Sequence, residues 1–157
     1  MVTSMTIENV IKRSCINLHM KGRNKKEIIE EMADMFDRAG VLASRNLFIR
    51  AVYEREGEGP TGIGNQVAIP HGKSDAVLKT AMAVGRVDQG VEWETLGEGD
   101  TRAFVMFAVN SGDKSELVSL LSQVAVALCD DDVIETLLTT ESEDEIFTLF
   151  NRKGEME

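Results

Sequence analysis

The sequence predicts an α/β fold in which one β-sheet is covered by helices on both faces. Segments with a two-residue period alternate along the chain with segments of helical period. One stretch, "TRAFVMFAV" (101–109), is apolar enough to be a central strand buried on both sides. At 157 residues the chain is the length of one domain, 1–157, with no internal repeat, linker or low-complexity tract.

The first expected element is a short strand in "CINLHMKG" (15–22), where apolar and polar residues alternate. "NKKEIIEEMADMFDRAG" (24–40) reads as a helix. Asn24 is its N-cap, and Glu27 three residues on completes a capping box. Ile28, Ile29, Met32, Met35, Phe36 and Ala39 share one face, and Gly40 supplies the left-handed stop. Ser44 caps a second helix, with Leu47, Phe48, Ala51 and Val52 as its stripe and its end near Glu56. "QVAIPH" (66–71) is a brief apolar run with strand character. "TAMAVGRV" (80–87) and 101–109 are strands, and "GVEWETLGEGD" (90–100) between them reads as a short edge strand and a turn. From Ser115 the period is helical again, with Leu117, Leu120, Leu121, Val124, Ala125 and Leu128 on one face. "DDDVIETLLTT" and "ESEDEIFTLF" are two further short helices whose acidic starts suit the positive end of the helix dipole. The tail "NRKGEME" is expected to fray.

Composition narrows the function. A hydrophobic share of 43% with 28% charged residues is that of a water-soluble globule. No apolar run approaches the ~20 residues that span a bilayer, and the N-terminus lacks the order of a secretory signal. The expected location is the cytoplasm, without membrane insertion. A net charge of −10 excludes nucleic acid as a main partner, because phosphate backbones repel an acidic surface. Two histidines, with no H-x-x-x-H and no C-x-x-C, leave no metal site, and no cofactor is expected. Cys15 and Cys129 are read as buried thiols.

The densest punctuation lies in "REGEGPTGIGNQVAIPHGKSD" (55–75), which holds both prolines of the chain. Gly57 to Gly62 satisfy G-x-G-x-x-G, but that pattern cradles a pyrophosphate only between a preceding strand and a following helix. Here a helix precedes and a strand follows, and Glu58 would repel phosphate. The glycines are therefore read as a sharp turn. Pro70 stiffens the backbone ahead of His71. Gly72 behind it leaves a bare spot where a partner could approach. His71 is thus a candidate nucleophile, with a satisfied structural histidine as the alternative. His19, in an alternating strand, is read as structural, either solvent-side or half-buried.

The combination "RE … TGIGNQVAIPHG", with His71 sixteen residues after Arg55, resembles the fructose/mannitol-type enzyme IIA of the bacterial phosphoenolpyruvate-dependent sugar phosphotransferase system. The resemblance covers nearly the whole chain, including "NKKEIIEEMADMF", "GVEW" and "ELVSLLSQVAVAL". It implies a mixed sheet between two helical layers, with no cofactor. It also implies a phosphoryl carrier: His71 would accept the group from the small histidine-containing carrier protein HPr and pass it to a IIB component. Arg55 matches the family arginine beside the active histidine. A neutral imidazole is a competent nucleophile, and an arginine fork suits phosphate oxygens. An ion pair of Arg55 with Glu54, Glu56 or Glu58 is the alternative. Where many relatives carry a second histidine, in H-L-x-x-L, this chain has Glu116, next to Ser115. A carboxylate there can fix the tautomer of His71; an exposed first-turn residue is the other reading. "PTG" and the missing second histidine point to a galactitol-like member, "GIGNQVAIPHG" to the fructose branch. A regulatory, nitrogen-type module or a non-catalytic binding domain are rival roles. Ile63, Val67, Ile69 and Gly72 are expected to form an apolar docking patch around His71, rimmed by Glu56, Glu58 and Asp75.

Overall fold

The computed structural model describes residues 5–97 and 99–150, without the Lys114 side chain. Its elements in chain order are α1 (Ile7–Val10), β1 (Ile11–Asn17), α2 (Lys25–Arg38), α3 (Arg45–Glu56), β2 (Gly62–Gly64), β3 (Val67–Ala68), β4 (His71–Ser74), β5 (Ala81–Val91), β6 (Thr101–Asn110), a 3-10 turn (Ser111–Asp113), α4 (Lys114–Ala127), α5 (Asp131–Thr139) and α6 (Glu143–Leu149).

They form one six-stranded sheet in the order β1-β5-β6-β3-β2, with β4 also paired to β6. β5 and β6 run antiparallel, while β1 lies parallel to β5 and both β3 and β4 lie parallel to β6, so the sheet is mixed. β6 is the axis, as its apolar sequence predicts. Its alternate residues feed two cores. Ala103, Val105, Phe107 and Val109 pack with Leu120, Val124, Leu137 and Ile146 of α4 to α6. Phe104, Met106 and Ala108 pack with Ile28, Met32, Phe36, Phe48 and Val52 of α2 and α3. The three-layer architecture read from the sequence is the one observed.

Several local readings hold in detail. The Asn24 side chain accepts from Glu27 N, and the Ser44 hydroxyl accepts from Leu47 N, so both helices start where their caps predict. The Glu27 carboxylate reaches one residue further back than a capping box requires, to Arg23 N.

Other readings are corrected. The first strand is Ile11–Asn17 and stops before His19, because the Asn17 side chain accepts from His19 N in a local turn. Leu18 and Met20 still bury, and Met20 N bonds to Arg86 O outside the strand. No separate edge strand is formed by the described residues of 90–100. β5 simply continues to Val91, and among the described residues beyond it only Thr95 bridges, to Gly62. Leu47 faces outward at 49% exposure, and Ala125 is exposed. Cys15 is buried, which raises its pKa, but Cys129 is exposed beyond the end of α4. The tail 151–157 lies outside the described residues.

Candidate functional site

His71 opens β4, directly after the break that Ile69 and Pro70 make between β3 and β4. Its register partner is Phe107, so the ring turns to the α4 side of the sheet. The residue is 7% exposed. Nδ1 lies 3.3 Å from Ile69 O. A carbonyl only accepts, so Nδ1 carries the proton in this contact and Nε2 keeps the lone pair. Nε2 has no hydrogen-bond partner among the described residues. It is also absent from their buried, unpartnered polar atoms, so the ring's remaining access to solvent includes this nitrogen. Burial lowers the His71 pKa below 6.5; the Ile69 hydrogen bond opposes it, the Arg55 charge adds to it, and Glu56 and Glu58 oppose it. The ring is therefore neutral, with one nitrogen fixed and the other open: the state of a nucleophile.

Gly72 is corrected. In register with Ala108, it faces the opposite side, where a Cβ would meet Val52 at 2.9 Å and Phe48 at 3.0 Å. The missing side chain admits α3, not a partner. α3 is thereby pressed onto β4, and its last turn carries Arg55 toward the histidine. Arg55 makes no ion pair with Glu54, Glu56 or Glu58. Its Nη1 donates to Gly59 O at 3.0 Å, a neutral acceptor that leaves the positive charge available. Gly59 has φ +151°, a conformation that L side chains rarely adopt. The glycine-rich turn therefore orients the arginine. It binds no nucleotide by the helix-start mechanism, since α3 precedes it and β2 follows.

Glu116 is in the first turn of α4, and its Oε2 accepts from Met5 N at 2.9 Å. The charges that bear on His71 are Arg55, Glu56 and Glu58, and Glu116 is not among them. The expected apolar patch does not form. Val67, Ile69 and Gly72 are buried, and only Ile63, at 38%, shows substantial exposure. Of the expected rim, Glu58 and Asp75 are exposed, but the Glu56 side chain is 4% exposed and paired with Lys25 Nζ at 2.7 Å.

Three residues escaped the sequence reading: Lys25, Thr61 and Trp93. The Thr61 hydroxyl donates to Glu56 Oε2 at 2.5 Å and accepts from Trp93 Nε1 at 2.9 Å. Lys25 also bonds Glu94 at 2.8 Å and lies 5.1 Å from the Trp93 ring centre. Only the solitary status of Trp93, the one tryptophan of the chain, hinted at it. Among the described residues no group of three or more His, Cys, Asp or Glu is placed to hold a metal, and no helix is long and apolar enough to cross a membrane.

Comparison with known proteins bears on the family and the fold. The chain is 32% identical over 148 residues to the fructose-specific EIIABC component of Bacillus subtilis (strain 168), covering 94% of this chain and 23% of that protein. It therefore spans about a quarter of that relative's length. The nitrogen regulatory protein IIA-Ntr of Neisseria meningitidis superposes with a TM-score of 0.84 at 26% identity, covering 92% of this chain and 98% of that one. Enzyme IIA-mannitol from Escherichia coli, in its complex with phosphorylated enzyme IIB-mannitol, superposes with a TM-score of 0.74 at 26% identity, covering 91% and 99%. The family model for the phosphoenolpyruvate-dependent sugar phosphotransferase system, EIIA 2, matches residues 9–153, and the chain belongs to that family.

Proposed function

We propose that this chain, acting as one IIA unit in the cytoplasm, is a phosphoryl carrier for sugar uptake that is phosphorylated on His71. The observation that carries the proposal is the buried, neutral imidazole: its Nδ1 is held by Ile69 O, its Nε2 is open, and an arginine without a carboxylate partner bears on it. The donor is the histidine carrier HPr. Nε2 attacks phosphorus as the bond from phosphorus to the carrier's nitrogen breaks, and the carrier's ring leaves with that electron pair. The proton stays on Nδ1 throughout, held in its hydrogen bond to Ile69 O. Arg55 neutralises the charge on the phosphoryl oxygens, the main demand that such a transfer places on a protein. The acceptor is the cysteine of a IIB component; the complex of the E. coli mannitol relative with its phosphorylated IIB partner supports this direction.

A second reading, a regulatory module whose phosphorylation state is read by another protein, draws support from the superposition on IIA-Ntr. Incubation with phosphoenolpyruvate, enzyme I and HPr, followed by intact mass, tests the common core. A gain of about 80 Da, one phosphoryl group, is expected in wild type and His19→Ala and is absent in His71→Ala. Phosphoryl retained in His71→Ala would overturn the assignment. Adding the IIB domain separates the roles, since a transport component hands the group on.

A further inference from the structure

Thr61 touches both halves of the candidate site without touching either reacting group. It is 5% exposed, between the glycine-rich turn and β2. Its hydroxyl donates to Glu56 Oε2 and accepts from Trp93 Nε1, so both of its hydrogen-bonding roles are used. The Glu56–Thr61 bond closes the turn Gly57–Pro60 upon itself, and that turn presents the Gly59 carbonyl to Arg55 Nη1. Lys25 Nζ lies 2.7 Å from the other oxygen of Glu56, an ion pair that favours this placement of the closing carboxylate. In the other direction the Thr61 carbonyl accepts from Ile69 N at 2.9 Å. Ile69 in turn offers its own carbonyl to His71 Nδ1.

We propose that Thr61 is a positioning residue that sets Arg55 against His71, its hydroxyl locking the turn that aims the guanidinium and its carbonyl anchoring the segment that carries the imidazole. The proposal rests on the reading of His71 as phosphoryl acceptor and of Arg55 as its charge partner. Lys25, Glu56 and Trp93 act through the same joint. Together they tie the start of α2 and the segment after β5 to the signature turn, and Gly62 N adds a bond to Glu94 O at 2.9 Å. Because the hydroxyl is fully coordinated, valine, of nearly the same shape, removes the joint without opening a cavity.

The test compares Thr61→Val with Thr61→Ser. Thr61→Val should slow phosphoryl transfer from phosphorylated HPr by roughly tenfold or more, as displacement of a charge-neutralising group does. Thr61→Ser, which keeps the oxygen, should restore most of the rate. In an Arg55→Ala background Thr61→Val should slow transfer no further, because coupled residues are non-additive. A wild-type rate in Thr61→Val, or the same slowing in both backgrounds, overturns the proposal, since general loosening of the fold would act in both. If the wild-type protein accepts no phosphoryl group, the reading of the site itself fails, and NMR titration of the His71 ring still decides the joint. Arg55, Glu56 and Glu58 are the charges bearing on that ring. Losing the aim of Arg55 should raise its pKa in Thr61→Val and leave it unmoved in Thr61→Ser. An unchanged or lowered pKa in Thr61→Val overturns the positioning role.

Discussion

The molecule contains two histidine–arginine–glutamate neighbourhoods, and they are built in opposite ways. Around His19 the histidine is exposed and the arginine is buried. His19 Nε2 lies 2.8 Å from Glu141 Oε1, and the other oxygen of that carboxylate takes Arg86 Nη2. Arg86 is 3% exposed and spends a further donor on Leu137 O at 3.1 Å. Around His71 the burial is reversed. The histidine is inside, the arginine is half-exposed, and the nearby carboxylate, Glu56, is ion-paired with Lys25 and takes a hydrogen bond from Thr61. The arginine charge is spent in the first case and kept in the second. A fold uses the same three residue types as a fastener where they pair with one another. Where a second cation, Lys25, and a hydroxyl take the carboxylate, the arginine is left without a carboxylate partner.

The sharpest way to break this comparison is to exchange the two arginines' fates. Arg55→Lys keeps the charge but loses the planar fork. It should slow phosphoryl transfer roughly ten- to hundredfold, with a melting temperature close to wild type. Arg86→Ala should do the converse. It orphans the Leu137 carbonyl and removes a buried stem, at about 1–3 kcal/mol, and should lower the melting temperature by several degrees while transfer persists. Calorimetry alongside the transfer assay reads both. A large loss of stability in Arg55→Lys with normal transfer would make Arg55 a second fastener.

A smaller effect comes from pH. Burial holds the His71 pKa below 6.5 in the folded protein. The unfolded chain therefore binds more protons than the native state between the native pKa and 6.5. Stability contributed by this residue is complete above 6.5 and is lost as pH falls through that window. Urea unfolding at pH 7.5 and pH 5 should show a larger loss in wild type than in His71→Gln; equal losses would show that the ring is not held neutral by the fold. For the same reason the ring of His71 is expected to stay unprotonated to lower pH than a free imidazole.

The smallest effect is expected at Glu116. Its carboxylate accepts from Met5 N, a bond that glutamine can also accept, and the charges bearing on His71 are others. Glu116→Gln should lower the His71 pKa by less than Glu58→Gln does, because the latter removes one of the carboxylates that raise it. A larger shift from Glu116→Gln, read by ring titration, would place Glu116 beside the histidine, where many relatives carry their second one.

How much was legible follows from the range of the forces involved. The caps Asn24 and Ser44 act over three residues, so sequence adjacency predicts them. β6 reads as central because only a strand covered on both sides tolerates its apolar run. His71 and Arg55 stood out through their punctuated setting and its resemblance to a known pattern. The strand expected at 15–22 failed because one local side chain, Asn17, competed with the period. The apolar patch failed because exposure of Val67 and Ile69 is decided by what packs over β3, and not by their neighbours in the chain.

The sequence by itself determined the class of fold, the helix starts and the central strand, and it singled out the pair of residues at the candidate site. These depend on periodicity, caps and a short signature. Tertiary structure alone decided that Gly72 serves α3, that Arg55 is left unpaired, and that Thr61 joins the turn to the strand of the histidine. Each of these depends on groups brought together from distant segments: Lys25 from α2, Glu56 from α3 and Trp93 from the segment after β5. A buried carboxylate takes whichever donors the fold delivers, and no spacing along the chain records which ones arrive.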